Sequence, residues 1–443
     1  MLMNRVISFI LSAIIAFFSF FGLELRPVEV GNNTDVVCIT NGKKEISGEF
    51  TLTFEKQKVN TAEIDFGSAG EASVKIYNGD ECIYSRTGRE AYRFCAFRTV
   101  EADSLRFVID KKAKSLSLSY KTSCDEDFRI TAYVVASNIK SKNNLCPEHF
   151  DIITDVILFG TTTFDENGNL SVNAEQLETA LSLLRETIGD RKVNIYINIL
   201  GPGADGGISD WNDQMNNLSA KHSKAFKNKA LTSEIKALVD KYGFDGVFFD
   251  YEYPLEERYW NDFKRFLRKL DKKLDGDEKI GIAVSSWNLP VAGRITDCVD
   301  MVELMQYGMF DDNGEHSSFT RCVEGFTQSE NVLLDRDELD MGVPFFARPQ
   351  TRAARWPEYS TYAPLIGDND GCDTSDGYSF FNCRQTIYDK TAYCLSRGIG
   401  GMMVWHYSCE CLDWESGLSL FKVMQDCIDD RNIGEPAQHK GIC

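Results

Sequence analysis

Asp250 and Glu252 stand one residue apart in FDGVFFDYEYP, Phe244 to Pro254. Alternate side chains of an extended strand share a face, so Phe248, Asp250 and Glu252 point one way. Asp245, Val247, Phe249 and Tyr251 point the other. Two acids at such close range cannot both ionise cheaply, and one is held protonated toward neutral pH. A proton kept on a carboxyl in this way is what general acid catalysis needs. A solvated pair of loop acids would not require the apolar run that leads into them.

Such a pair needs a scaffold, and the surrounding chain supplies one. Apolar strand-like runs recur at 129–137, 152–160, 192–201, 244–252, 279–287, 300–308, 339–347 and 399–407, with helical segments between them. Ala174 to Ile188 carries Leu177, Leu181, Leu184 and Ile188 on one face, and 233–242 and 258–274 read the same way around the fourth run. Hydrophobic strands alternating with helices mean a parallel sheet covered by helices. Eight units over about 300 residues predict a (β/α)₈ TIM barrel. An open doubly wound sheet is the alternative, but no glycine-rich phosphate loop follows the first run. Barrels keep their chemistry at the carboxyl ends of their strands, which is where Asp250 and Glu252 fall.

The stretch resembles the signature of glycoside hydrolase family 18, which contains chitinases and endo-β-N-acetylglucosaminidases. The family pattern on the fourth barrel strand is D-G-x-D-x-D-x-E. Asp245, Gly246, Asp250, Glu252, Tyr253 and Pro254 are in register with it, and Phe248 occupies the first Asp of D-x-D-x-E. On the sixth run, Met305-Gln306-Tyr307 looks like the family's M-x-Y, with Gly308 where an Asp often follows. Gly401 to Trp405 resembles the segment whose Trp floors the sugar pocket. NILGPG, Asn198 to Gly203, stands where the family often has S-x-G-G.

The resemblance implies a retaining reaction in which the substrate's own 2-acetamido group attacks the anomeric carbon. Glu252 would protonate the leaving oxygen and then deprotonate water. Asp250 would orient the acetamido N–H and stabilise the cationic intermediate, Tyr307 would donate to the acetamido carbonyl, and Trp405 would pack under the sugar. Tyr253, Gln306, Met305 and Asp245 complete the expected substrate-binding set. No metal or organic cofactor is implied. Trp211, Trp287, Trp356 and Tyr359 are further subsite candidates, each equally readable as loop core. Arg348, Arg352 and Arg355 could meet an anionic glycan or pair with carboxylates, and His406 could touch substrate or serve structure.

The preceding region has a different pattern. FTLTF (50–54), AEIDF (62–66), SVKIY (73–77), SLRFVID (104–110) and SLSLSY (115–120) alternate apolar and polar residues between turn signals. This predicts a jelly-roll-like β-sandwich, either glycan-binding or a spacer, with Tyr77, Tyr84 and Tyr92 read as core. At the start, Met1 to Arg5 carries one positive charge ahead of the uncharged apolar run Val6 to Leu23. This run reads as a signal peptide or a retained membrane anchor. The expected organisation is therefore 1–25 signal or anchor, 26–126 sandwich, 127–431 catalytic barrel and 432–443 tail.

Composition agrees with an exported globular protein. Of 443 residues 43% are hydrophobic, and 67 acidic against 48 basic residues give a net charge of −19. That surface repels phosphate backbones and argues against nucleic acid. Fourteen cysteines, four up to Cys124 and ten from Cys146 onward, are even in both groups and predict disulfides within each domain. Cys409 and Cys411 lack zinc-finger partners. The expectation is an extracellular or surface-held monomer that acts on glycans containing N-acetylglucosamine. A non-hydrolytic lectin on the same barrel is the alternative.

Overall fold

The structure, a computed structural model, describes residues 34–39 and 46–431 apart from 124–126, 204–209, 253–255, 286–287, 289–295, 309, 313, 332–334, 352–354, 367–370 and 375–376. The expected leader, the 432–443 tail and Tyr253, Trp287 and Arg352 lie outside the described residues. No helix among the described residues is long and apolar enough to cross a membrane.

All eight apolar runs form parallel strands of one closed barrel. In chain order these are β7 (Arg129–Val135), β8 (Asp155–Phe164), β10 (Asn194–Leu200), β11 (Gly246–Asp250), β12 (Lys279–Ser285), β13 (Met301–Met305), β14 (Leu339–Pro344) and β17 (Gly401–Trp405). Each pairs with the next, β17 returns to β7, and β10 also pairs with β8, which closes the ring. The short β9 (Leu170–Val172) folds back on β8, and β15 (Arg348–Pro349) pairs with β16 (Ser379–Phe380) outside the barrel. Around it lie α1 (Ala174–Ile188), α2 (Trp211–Ala225), α3 (Leu231–Tyr242), α4 (Glu257–Asp271), α5 (Phe319–Asn331), α6 (Tyr359–Ile366), α7 (Arg384–Arg397) and α8 (Leu420–Arg431). The expected face of α1 is its buried face, and Asn173 caps it by accepting from the Gln176 amide.

Two apolar shells follow from the two-residue strand period. Val247, Phe249 and Tyr251 join the large shell between strands and helices, where Tyr251 packs on Trp260 and Phe263. Phe248 instead joins Tyr133, Ile157, Tyr196, Met301 and Met403 inside the barrel. Its ring fills the space beside β12 so completely that a Cβ on Gly281 would fall 2.1 Å from a ring carbon. Below this layer Arg129 pairs with Asp340 at 2.7 Å, and Thr131 donates to the same carboxylate.

The N-terminal region forms one continuous antiparallel sheet, ordered β1 (Thr34–Ile39), β6 (Ser115–Tyr120), β2 (Ile46–Asp65), β5 (Tyr92–Ala113), β3 (Ala72–Asn78) and β4 (Glu81–Gly88). FTLTF and AEIDF belong to the single strand β2, because bulges between Thr53 and Gln57 and between Val59 and Thr61 bend it where a turn was expected. The bent sheet closes one core in which Val74 and Ile76 of β3 join Leu116 and Leu118 of β6.

A buried polar seam joins this sheet to the barrel. Asp389 of α7 accepts from the Ala96 amide at 2.8 Å and from the Tyr84 hydroxyl at 3.2 Å. Asp430 of α8 accepts from the Thr99 amide, and Arg431 donates to the carbonyls of Asn60 and Lys121. Arg86 bonds Glu90, Thr386 and Asp373, and Arg93 bonds Glu90. Each of these is costly to bury alone and stable only when partnered, and the bonds of Arg86 to Thr386 and Asp373 carry the network across the seam. Tyr84 is thus core, while Tyr77 is half-buried under Arg106 and Tyr92 donates to Glu63.

The expectation of disulfides is not met among the described residues. All eleven described cysteines are free, and seven are buried, including Cys322, Cys394 and Cys427 on three different helices. They pack as small apolar side chains. Cys38, Cys124 and Cys443 lie outside the described side chains.

Two outcomes follow from the seam. Asp389→Ala should cost about 3 kcal/mol, because it strands a buried amide and hydroxyl. Calorimetry should then show a single unfolding transition at a lower Tm, whereas a sheet melting separately would contradict the coupling. Glu315 is also buried here, accepting from the Arg89 amide at 3.1 Å. Burial, then the charge of Glu90, pushes its carboxyl up to about 8. The folded protein therefore holds a proton that the unfolded chain releases near 4.5, and stability falls as pH rises from 4.5 to 8. Glu315→Gln should flatten that slope in thermal melts at pH 5 and 8.5.

Candidate active site

Strand β11 ends at Asp250, and the chain continues extended far enough to deliver Glu252 to the barrel mouth. The neighbouring strand β12 fixes it there. Ser285, at the end of β12, donates its hydroxyl to Glu252 Oε2 at 2.8 Å. Asn288 donates to the Glu252 carbonyl at 3.1 Å and accepts from the Ser285 amide. Asp250 hydrogen-bonds the Glu252 carboxyl, while its Oδ1 is buried with no hydrogen-bond partner. Burial, then the charge of Glu252, holds the Asp250 carboxyl well above the usual carboxylate range.

Tyr307 follows β13 and returns to the lumen face, its hydroxyl 3.8 Å from the Met403 sulfur. Burial raises its phenol far above the ordinary value, reinforced by Glu252 and Asp250, so it stays a neutral donor. Trp405 ends β17, packed edge-on against Phe159 at 4.9 Å and Tyr133 at 5.3 Å. Tyr133 in turn lies within the fields of Asp250, Tyr307 and Glu252. The structure therefore brings Asp250, Glu252, Tyr307 and Trp405 to one mouth, with Met305 on the same lumen face.

Two expected residues are elsewhere. Gln306 alternates outward: its amide lies against α5, where a Cβ on Gly325 would fall 1.7 Å away. Asp245 precedes β11 and accepts from the Ile195 amide at 2.7 Å, so it pins the opposite end of the barrel. Strand period excludes the first from the cleft, and strand length excludes the second. Tyr253 lies outside the described residues.

The lumen also holds residues outside the expected site set. Asn198 of β10 pairs in register with Phe248, and its buried amide has no hydrogen-bond partner. The Tyr133 hydroxyl is in the same state. Glu303 of β13 is fully buried, and burial followed by Asp340 raises its carboxyl. Every second residue of an apolar strand run faces the lumen, which is the one signal that could have found them. Gly308 has φ 82°, a left-handed conformation that accounts for glycine where the family often has Asp. Gly201 is needed for another reason, since a Cβ there would meet the buried His222 ring.

The other candidates divide clearly. Tyr359 is core at the start of α6, donating to the Leu418 carbonyl. Trp211 and Trp356 are exposed. Arg348 is buried against the Gly308 carbonyl, and Arg355 pairs with Glu358, so neither reads as an anion receptor. His406 is packed beside Trp405 and the Cys409 sulfur. The one acidic group with metal-like spacing among the described residues, Asp240, Asp275 and Glu278, already surrounds the Lys236 ammonium.

A family model described as glycosyl hydrolases family 18 matches residues 129–409. No curated protein matches the chain. Among solved structures, a chitinase from Bacteroides thetaiotaomicron is similar at TM-score 0.57 and 19% identity, over 70% of this chain and 99% of that one. A GH18 chitinase from the chitin utilization locus of Flavobacterium johnsoniae gives 0.55 and 18%, over 70% and 95%. A chitinase-like agglutinin from Robinia pseudoacacia gives 0.50 and 16%, over 67% and 99%.

Phe248 should leave its mark on titration. It dries the surroundings of Asp250 and disfavours the ionised form. Phe248→Asn should therefore move the alkaline limb of the pH–rate profile, where the proton held by Asp250 is lost, to lower pH. An unmoved limb in a folded variant would remove Phe248 from this account.

Proposed function

The chain belongs to glycosyl hydrolase family 18, and from that premise we propose that it hydrolyses β-1,4 bonds beside N-acetylglucosamine with retention. Chitin-like, N-glycan and cell-wall glycans share the required group. The observation that carries this reading is the Asp250–Glu252 pair, hydrogen-bonded to each other, with Glu252 tethered by Ser285 at the mouth that Tyr307 and Trp405 also line.

In the proposed reaction the sugar lies over Trp405, whose indole suits the C–H face of a pyranose. Tyr307, kept neutral, donates to the acetamido carbonyl and aims its oxygen at the anomeric carbon. Asp250 starts neutral. As positive charge grows on the acetamido group, ionisation of Asp250 becomes favourable, and its proton passes along the hydrogen bond that arms Glu252. Glu252 then protonates the leaving oxygen and later takes a proton from water. Opening of the cyclic intermediate restores the acetamido group, so the anomeric configuration is retained. Export through the Val6–Leu23 run, action as a monomer outside the cell and a lack of nucleic-acid partners belong to the same proposal.

Phe248 favours a second reading, a glycan-binding protein that does not hydrolyse. An agglutinin with this fold stands among the similar structures.

A glycan panel separates the two. It would contain chitooligosaccharides, high-mannose and complex N-glycoproteins, and peptidoglycan, assayed with wild type and Glu252→Gln. Loss of the acid should reduce turnover by about 10²–10⁴-fold while sugar affinity is kept. Asp250→Asn should lower kcat more than it raises KM. Binding by both wild type and Glu252→Gln with no product from either would establish the lectin.

A further inference from the structure

Trp356 is one of four large apolar side chains that remain exposed among the described residues, at 40%. It follows the seventh barrel strand, on the face where the carboxyl ends of the strands open. Its indole is braced from within. It stacks on Phe346 with ring centres 5.3 Å apart and planes 10° from parallel. Phe346 in turn meets Tyr307 edge-on at 5.9 Å. The Arg348 guanidinium lies 5.1 Å from the indole centre and 4.8 Å from that of Phe310, and is anchored by the Gly308 carbonyl. Backbone pairing of Phe346 with Glu358, and of the Ala347 amide with the Pro357 carbonyl, holds the segment on either side of Trp356 against the strand extension.

An exposed indole on a loose loop would be an ordinary surface residue. This one is the outer end of an unbroken run of rings that starts at Tyr307. We propose that Trp356 is a stacking platform for a second sugar ring of the same glycan, so that the cleft takes an oligosaccharide and not a terminal unit alone. The proposal rests on the reading of an N-acetylglucosamine glycan as substrate. A flat, partly wet indole fits the C–H face of a pyranose, and covering it removes apolar surface from water. Its separation from Tyr307 by one intervening ring puts the second sugar beyond the unit being cleaved.

The test compares wild type, Trp356→Ala and Trp356→Phe on chitooligosaccharides from dimer to hexamer. Trp356→Ala should lower kcat/KM about tenfold on the hexamer, equivalent to about 1.4 kcal/mol. The shortest cleaved oligomer should be nearly unaffected, and Trp356→Phe should recover most of the loss. An equal loss at every length would mean that the indole only supports its loop, and no loss at any length would mean that it meets no sugar. Either result overturns the platform and leaves the proposed reaction standing. If wild type cleaves none of the oligomers, the reaction is the failed premise, and calorimetric titration with hexamer decides the platform. Equal affinity of wild type and Trp356→Ala would then overturn it.

Discussion

The two-residue period of one short strand governs this molecule. It sends Val247, Phe249 and Tyr251 into the shell of helices and Phe248, Asp250 and Glu252 into the lumen. A register slip of one residue would bury two carboxylates against Phe263 and Trp260 and empty the mouth of its acids. Much of the architecture serves to forbid that slip. Tyr251 is locked by its aromatic neighbours, Gly281 leaves room for the Phe248 ring, and the Ser285 hydroxyl holds Glu252 from the adjacent strand.

The same period explains what could be read from sequence. Eight apolar runs announced eight barrel strands, because strands covered on both faces have little freedom of composition. The motif gave Asp250, Glu252, Tyr307 and Trp405 their common location. It misleads at Gln306, where adjacency in a motif is not adjacency in space, and at Asp245, which precedes the strand and sits at the opposite end of the barrel from the acids. Ser285, Tyr133 and Glu303 are hidden for the opposite reason. A lone polar residue inside an apolar run has no sequence neighbour to mark it, and its partners come from strands far along the chain.

The sheet–barrel seam was equally illegible. Asp389 and Ala96, or Arg431 and Asn60, are separated by hundreds of residues and belong to segments that read as different architectures. Nothing in the composition of β2 or α8 announces the contact. Yet the seam reaches the working face, since Arg89 of the sheet region holds Glu315, and His316 next to it accepts from the Gly308 amide beside Tyr307. The phenol of the mouth is therefore set partly by a region that the sequence assigned to a separate module.

The lumen carries more acid than it can neutralise internally. Asp155, Asp340 and Glu303 are gathered around one guanidinium, Arg129, and burial raises the carboxyls of Asp340, Glu303 and, at the mouth, Asp250. A site built to attract a fixed cation would hold these groups ionised and exposed. A dry site that keeps Asp250 neutral stores potential negative charge at little cost and releases it when a positive centre forms nearby. Under the proposed reaction that centre is transient and belongs to the sugar. Phe248 then need not signal a lost function: an apolar ring beside Asp250 deepens the neutral resting state and enlarges the change in charge available to the transition state.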